Sequence, residues 1–491
     1  MSPTTIILFV LGYFAALILI ARITGRKSDN ASFFVGSRKS PWYVVAFGMV
    51  GSSLSGVTFI SVPGWVGDAQ FSYFQMVLGY IPGYLVVAFV LLPLYYRLNL
   101  TSIYTYLDRR FGRHAYKTGA SFFLLSRMLG SALRLYLVAV VLQLSVFDRL
   151  DMEVPFFVTV FLTILLIWLY TFRGGIRTII WTDTFQTAFM LLAVGISVYA
   201  ISSALGLDAA GLMETVENSR YSRIFFLDDP NDPKFFLKQF LAGMFITITM
   251  TGLDQDMMQK NLSCRNIREA QKNMVSFTIV LVAVNLVFLV LGALLYIFAE
   301  TQGIPIPTKT DELYPMLAVT GYLGSAVGIL FILGLIAAAY SSADSALTAL
   351  TTSFSIDVLE VDKLSEAEAT KKRKLVHIGM SFALMIVILI FKLIDNPNVI
   401  SAVFTAAGYT YGPLLGLYAF GLFTRLATWD KAVPYIAVAS PIISYFLDVN
   451  SARFFGGYEI GFEILIINGM ITFLGLLLSG RGRKMASANV V

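Results

Sequence analysis

Residues 274–299, MVSFTIVLVAVNLVFLVLGALLYIFA, run for 26 positions without one charged side chain. At 1.5 Å per residue that is about 39 Å of helix, enough to cross roughly 30 Å of hydrocarbon with some tilt. Lys272 stands just before the stretch and Glu300 just after it. Similar apolar stretches lie on either side, at 4–21, 41–66, 71–96, 118–146, 154–172, 178–205 and 236–254 before it, and at 322–352, 375–394, 398–424, 432–448 and 460–479 after it. The composition agrees, with 57% hydrophobic residues, 13% charged and a mean hydropathy of +0.75, values that place the chain in lipid rather than in water. The expected fold class is an all-α polytopic membrane protein with about 13 transmembrane helices, counted from these stretches.

Loop charge predicts the orientation, because basic residues near span ends resist translocation. Arg22, Arg26, Lys27, Arg38 and Lys39 follow the first span, and Arg97, Arg109, Arg110, Arg113 and Lys117 follow the third. Later alternate loops carry Lys260, Arg265, Arg268 and Lys272, then Lys371, Lys372, Arg373 and Lys374, and the tail carries Arg481, Arg483 and Lys484. The opposite loops hold acids such as Asp148, Asp228, Asp229, Asp232, Glu300 and Asp311. The amino terminus is expected outside and the carboxyl terminus in the cytoplasm, in a multi-pass protein of the cell (inner) membrane. The first span has no charged leader and no small-residue cleavage site, so it reads as a retained helix.

The net charge of +6 is spread over inner loops rather than gathered on one face. Anionic lipid headgroups are therefore the expected partner, and nucleic acid is not. The single cysteine, Cys264, excludes a disulfide framework and a cysteine metal cluster. His114 and His377 fall in or beside inner loops, and no nucleophile with an adjacent base is apparent, so an enzyme is not expected. Carrier, channel and receptor functions remain. A channel needs a continuous polar lining, whereas the polar groups here concentrate at mid-depth, and a receptor of this size would carry a signalling domain.

Ionisable residues inside spans mark sites or pathways, since each costs at least about 2.5 kcal/mol at the bilayer centre. Four stand out: Arg127, Arg134, Asp183 and Asp344. Lys238 and Lys392 lie near span ends, where snorkelling accounts for them. In the ninth span, GLIAAAYSSADSALTALTTSF (334–354), Ala338, Ser341, Ser342 and Ser345 share one face with Asp344 at its edge. That face suits a hard cation, which takes oxygen ligands, and it would equally serve close helix packing. The second span, AFGMVGSSLSGVTFISVPG (46–64), has Gly48, Gly51, Gly56, Pro63 and Gly64 among Ser52, Ser53, Ser55 and Thr58, a pattern expected of a discontinuous helix. The seventh, with Thr247, Thr249, Thr251 and Gly252, is similarly weak. Spans two and seven are five apart, as an inverted repeat of spans two to six and seven to eleven requires. The chain then divides as a single transporter domain, 1–491, with an extra helix and loop at 1–40, repeats at 41–205 and 236–424, and two helices at 425–491.

The segment YTFRGGIRTIIWTDTFQ (170–186) resembles the signature of the sodium/solute symporter family. FFVGSRKSPW (33–42), DQDMMQKNLSCRNIREAQ (254–271), AAAYSSADSAL (337–347) and GYTYGPLLGLYAFGLF (408–423) resemble the family in the same order and spacing. The resemblance implies sodium-coupled import of a small solute by alternating access, on the 5+5 inverted-repeat fold of the bacterial leucine transporter, with one extra helix before the core and two after. It also implies a main sodium site built from the carbonyls of Gly51, Leu54 and Ala338 and the hydroxyls of Ser341 and Ser342. A second sodium site would use Asp183 with Ser341, Asp344 and Ser345. Position 344 departs from the sialic acid branch, where a serine is expected, so the second carboxylate would either strengthen the site or hold a proton. The segment SSLSGVT (52–58) resembles a substrate-lining region, which assigns Ser53, Ser55 and Thr58 to the solute. Tyr73, Phe74 and Gln75 are further candidates. Arg134 resembles an arginine that pairs with a substrate carboxylate; a structural ion pair or a snorkel, about 26 Å along the helix from Lys117, are the alternatives. The implied solute is an organic anion such as a sialic acid or a monocarboxylate, with a sugar or an amino acid as the alternative.

Overall fold

The computed structural model describes residues 3–25, 30–143, 147, 154–393 and 399–480. Arg26, Lys27, Asp148, Arg481, Arg483 and Lys484, used above for orientation, lie outside the described residues. The main helices are α1 (Pro3–Thr24), α2 (Trp42–Leu54), α3 (Gly56–Ala69), α4 (Tyr73–Arg97), α5 (Arg113–Leu142), α6 (Phe156–Ala204) and α7 (Phe236–Gly252). They continue as α8 (Gln255–Leu262), α9 (Ile267–Thr301), α10 (Ser325–Val358), α11 (Glu366–Phe391), α12 (Val399–Phe423), α13 (Val433–Val449) and α14 (Ile464–Gly480). Among the described residues every regular element is helical, and the only extended pairing is an isolated bridge between Ser40 and Cys264. Among the described residues seven helical segments, taking only Gly175–Ala204 of α6, are long and apolar enough to cross a membrane, or up to nine when each of two bent pairs counts as one span.

The bends fall where the sequence weakens the helix. Helices α2 and α3 meet at 56° around Ser55, whose φ of 31° and ψ of 169° take the backbone out of the helical path. Helices α7 and α8 meet at 63° across Leu253 and Asp254, and the Asp254 side chain restarts the chain as a helix by accepting the Asp256 N–H at 2.8 Å. The sequence reading separates spans five and six, and α6 breaks between them into the segments Phe156–Phe172 and Gly175–Ala204. It bends at Gly175, whose φ is +51°, and a Cβ there would stand 2.7 Å from the Phe33 backbone. Helix α9 begins seven residues before its apolar stretch because Asn266 caps it, accepting the Glu269 N–H at 3.0 Å.

Helix α10 is the most deeply buried of the long helices and packs along α6 and α5, whereas α11 and α13 keep most of their apolar surface on the outside. Helices α4 and α7 cross at backbone contact: a Cβ on Gly79 would lie 2.1 Å from the Phe240 carbonyl, and one on Gly243 would lie 2.1 Å from the Met76 carbonyl. Backbone cannot give way as a side chain does. Gly243→Val is expected to destabilise by at least the 1–3 kcal/mol typical of overpacking, seen as a lower melting temperature in detergent. An unchanged melting temperature would remove this crossing from the account of the fold.

Candidate functional site

The break at Ser55 leaves the end of α2 facing the middle of α10. A helix end carries carbonyls without intrahelical partners, and at this one the last helical bond and a bond from α10 engage two carbonyls. The Gly51 carbonyl accepts from the Ser55 N–H at 3.2 Å, and the Ser52 carbonyl accepts from the Ser342 hydroxyl at 3.1 Å. Gly51 itself is required for close approach to α6, since a Cβ would stand 2.2 Å from Thr187 Oγ1, which accepts the Gly51 N–H at 3.1 Å. Leu54, Ala338, Ser341 and Ser342 are all buried at this junction. The two helices that the sequence reading assigned to the main sodium site therefore meet there, bringing Ser341 and Ser342 to the α2 break.

Asp183 of α6 is buried behind the break and gathers hydroxyls from three directions. Ser341 Oγ donates to its Oδ1 at 2.7 Å, Ser52 Oγ donates to its Oδ2 at 2.7 Å, and Ser345 Oγ approaches Oδ2 at 3.4 Å. Asp344 is adjacent, accepting from the Tyr170 hydroxyl at 2.9 Å and from Ser345 Oγ at 3.3 Å. So Asp183, Ser341, Asp344 and Ser345 form one cluster, as the resemblance implied.

Lys260 corrects the sequence reading. It was expected in a cytoplasmic loop, but the 63° bend before α8 turns that segment inward, and every residue of α8 is buried. The ammonium lies 2.9 Å from Asp183 Oδ2, donates to Ser52 Oγ, and is 4.0 Å from Asp256 Oδ1. Arg127, on α5, pairs with Asp256 and lies 3.7 Å from Asp254, whose carboxylate also accepts the Tyr411 hydroxyl. His377 is buried rather than beside a loop, between the hydroxyls of Thr171 (3.2 Å) and Thr351 (2.9 Å). The signal for the charged cluster was present in DQD followed by Lys260: Asp256 and Lys260 stand four residues apart, the spacing that puts both on one helix face.

On the other side of the break is a partly open cavity. Ser53, Ser55, Thr58, Tyr73 and Arg134 line it, five of the seven residues assigned to the solute from sequence. The other two do not. Phe74 is half-buried away from the cavity. Gln75 is consumed by backbone: its amide donates to the carbonyls of Lys234 (2.8 Å) and Ser72 (3.3 Å), and its oxygen accepts the Phe226 N–H at 3.1 Å, tying down the loop before α7. In their place Tyr80, Tyr84, Thr247, Thr251, Asn285 and Phe404 complete the wall. Asn285 donates to the Leu281 carbonyl at 2.8 Å, while its side-chain oxygen has no hydrogen-bond partner.

Arg127 and Arg134 are seven residues apart on α5 and share a face. Both reach the cavity. Arg127 is locked by its carboxylates, whereas the half-buried Arg134 makes no hydrogen bond or ion pair with the described residues. Ser52 joins the two regions, because it lines the cavity and bonds Asp183 on its far side.

The sequence model of the sodium:solute symporter family matches residues 33–433. The sodium/sialic acid symporter NanT of Aliivibrio fischeri is 25% identical over 485 residues, covering 94% of this chain and 91% of that protein. The sodium/sialic acid symporter SiaT of Proteus mirabilis is 26% identical over 478 residues, covering 94% and 93%. The solved structure of a sodium-coupled sialic acid symporter in a substrate-bound outward-open state has the same fold, with a TM-score of 0.81 over 99% of each chain at 21% identity. A family match across most of the chain, on a broken-helix fold with paired hydroxyls at the break, makes this multi-pass membrane protein a member of the sodium:solute symporter family, a family of sodium-coupled transporters.

Proposed function

We propose that this symporter imports a small organic anion, with a sialic acid or a monocarboxylate as the solute class. The observation that carries the reading is Arg134, a guanidinium with no hydrogen bond or ion pair among the described residues, in a cavity that it shares with hydroxyls, aromatic rings, aliphatic side chains and the carboxylate-paired Arg127. A guanidinium with its donors unpaired favours a bound carboxylate, which it holds through two parallel hydrogen bonds. Ser53, Ser55, Thr58, Tyr73 and Asn285 supply donors and acceptors for a polyhydroxylated body, and the sialic acid symporters among its relatives support that choice.

Sodium binds at the α2 break in this reading, through the carbonyls of Gly51, Leu54 and Ala338 and the hydroxyls of Ser341 and Ser342. The cation and solute sites share the α2–α3 junction, so filling one orders the wall of the other, which is the physical basis of coupling. The architecture is thirteen spans, with repeats at 41–205 and 236–424 rocking against each other for alternating access. The amino terminus lies outside, the carboxyl terminus in the cytoplasm, and the inner-loop basic residues meet anionic lipid of the inner membrane.

The test is a thermal-shift screen of purified protein against sialic acid, monocarboxylates, neutral sugars and amino acids, with and without sodium. A sodium-dependent rise with an acidic solute is expected; a rise with neutral sugars alone would overturn the anion assignment. Ser341→Ala and Ser342→Ala should each weaken sodium activation while leaving expression near wild type, because each removes one oxygen from a shell of about five or six. Normal sodium activation curves in both would remove these residues from the site.

A further inference from the structure

The second cluster of oxygens poses a problem of charge. Asp183 is its anchor, yet both carboxylate oxygens are already engaged: Oδ1 by Ser341, and Oδ2 by Ser52 and by the Lys260 ammonium at 2.9 Å. Lys260 and Asp183 are each 1% exposed, so water does not screen their attraction. The ammonium is held from below as well, with Asp256 at 4.0 Å and Ser52 Oγ accepting from it. Lysine presents a compact point charge with three donors. In charge and in its demand for oxygen ligands it resembles a bound monovalent cation, but it is tethered to the chain.

We propose that the Lys260 ammonium is the resident cation of the Asp183 cluster, holding that position against sodium, so that this chain binds one sodium ion rather than two. The proposal rests on the sodium-symport reading above. A sodium ion on Asp183 would share the carboxylate that the ammonium already contacts, and two unit charges a few ångströms apart in a buried site repel strongly. The Asp344 carboxyl is bonded by Tyr170 and Ser345 and has no ion-pair partner among the described residues. It lies on the same helix as Ser341 and Ser342. The tether also gives α8 a stake in the cation cluster, because Lys260 can contact Asp183 only while α8 is folded against α2 and α6.

The experiment counts sodium directly and needs no knowledge of the solute. Purified protein is titrated with 22Na+ to saturation, and bound ions are counted per chain. Wild type is expected to bind one, Lys260→Arg one, and Lys260→Gln two, since the freed carboxylate then takes an ion of its own. Lys260→Met, which keeps the length and loses the charge, provides a second charge-deleted variant with the same expected count. Two ions on wild type, or one ion on both folded charge-deleted variants, overturns the proposal; two on wild type does so even if neither variant folds. Ser341→Ala/Ser342→Ala should remove the wild-type ion. If that double variant retains it, or if wild type binds none, the sodium-site reading fails instead, and the two failures are distinguishable.

Discussion

Asp183→Asn should destabilise the protein by about 3–5 kcal/mol, the cost of leaving a buried charge without its partner. The variant keeps the shape of the side chain, exchanges one acceptor oxygen for a donor, and strands the Lys260 ammonium beside a neutral amide. Lys260→Gln removes the other half and strands Asp183. The double variant Asp183→Asn/Lys260→Gln strands neither, so it should recover most of the stability, and the recovery measures the pair. Melting temperatures in detergent read all four proteins. Sodium separates the single variants further. In Lys260→Gln the exposed carboxylate can take a sodium ion, and stability should rise with sodium concentration by mass action; in Asp183→Asn the positive charge is already present and sodium should give no such added rescue. If the double variant is as unstable as the sum of the singles, the pair carries no coupling and Asp183 is held by its hydroxyls alone.

Much of this site was legible because polar residues in a membrane span have few reasons to be there. The glycines, serines and Pro63 of the second span announced a weak helix, and the break falls at Ser55 among them. Asp183, Ser341, Ser342 and Ser345 were readable for the same reason, and they meet. Lys260 was not readable. A basic residue just past an apolar span looks like a cytoplasmic anchor, and only the bend at Leu253–Asp254 folds it back into protein. Gln75 failed differently: a buried glutamine satisfies itself on whatever backbone is near, and the path of the 222–235 loop that supplies its partners has no periodicity to read. The boundary between spans five and six was legible because two consecutive glycines weaken a helix, and the break falls at Gly175, where Phe33 packs in the space a side chain would need.

Arg134 should decide the solute. Its neighbour two turns away, Arg127, shows what a structural arginine looks like here, paired with Asp256 and near Asp254. Among the described residues Arg134 makes no ion pair or hydrogen bond, so its fork of donors is open to an acid in the cavity. Arg134→Ala is expected to cost roughly 2–5 kcal/mol of binding for an acidic solute, because the truncation leaves the buried solute carboxylate unpaired. Arg134→Lys keeps the charge and loses the fork of parallel donors, so it should fall between wild type and alanine. Neutral analogues of the same solute should lose far less in either variant. The measurement is binding by thermal shift or calorimetry at saturating sodium, followed by uptake into proteoliposomes. Sodium affinity without solute serves as the control, since Arg134 is not among the cation ligands, and it should move little. If acidic and neutral solutes weaken together, Arg134 shapes the cavity without reading charge. If both variants bind and transport an acidic solute as wild type does, the anion assignment is wrong, and the sodium site at the α2 break stands without it.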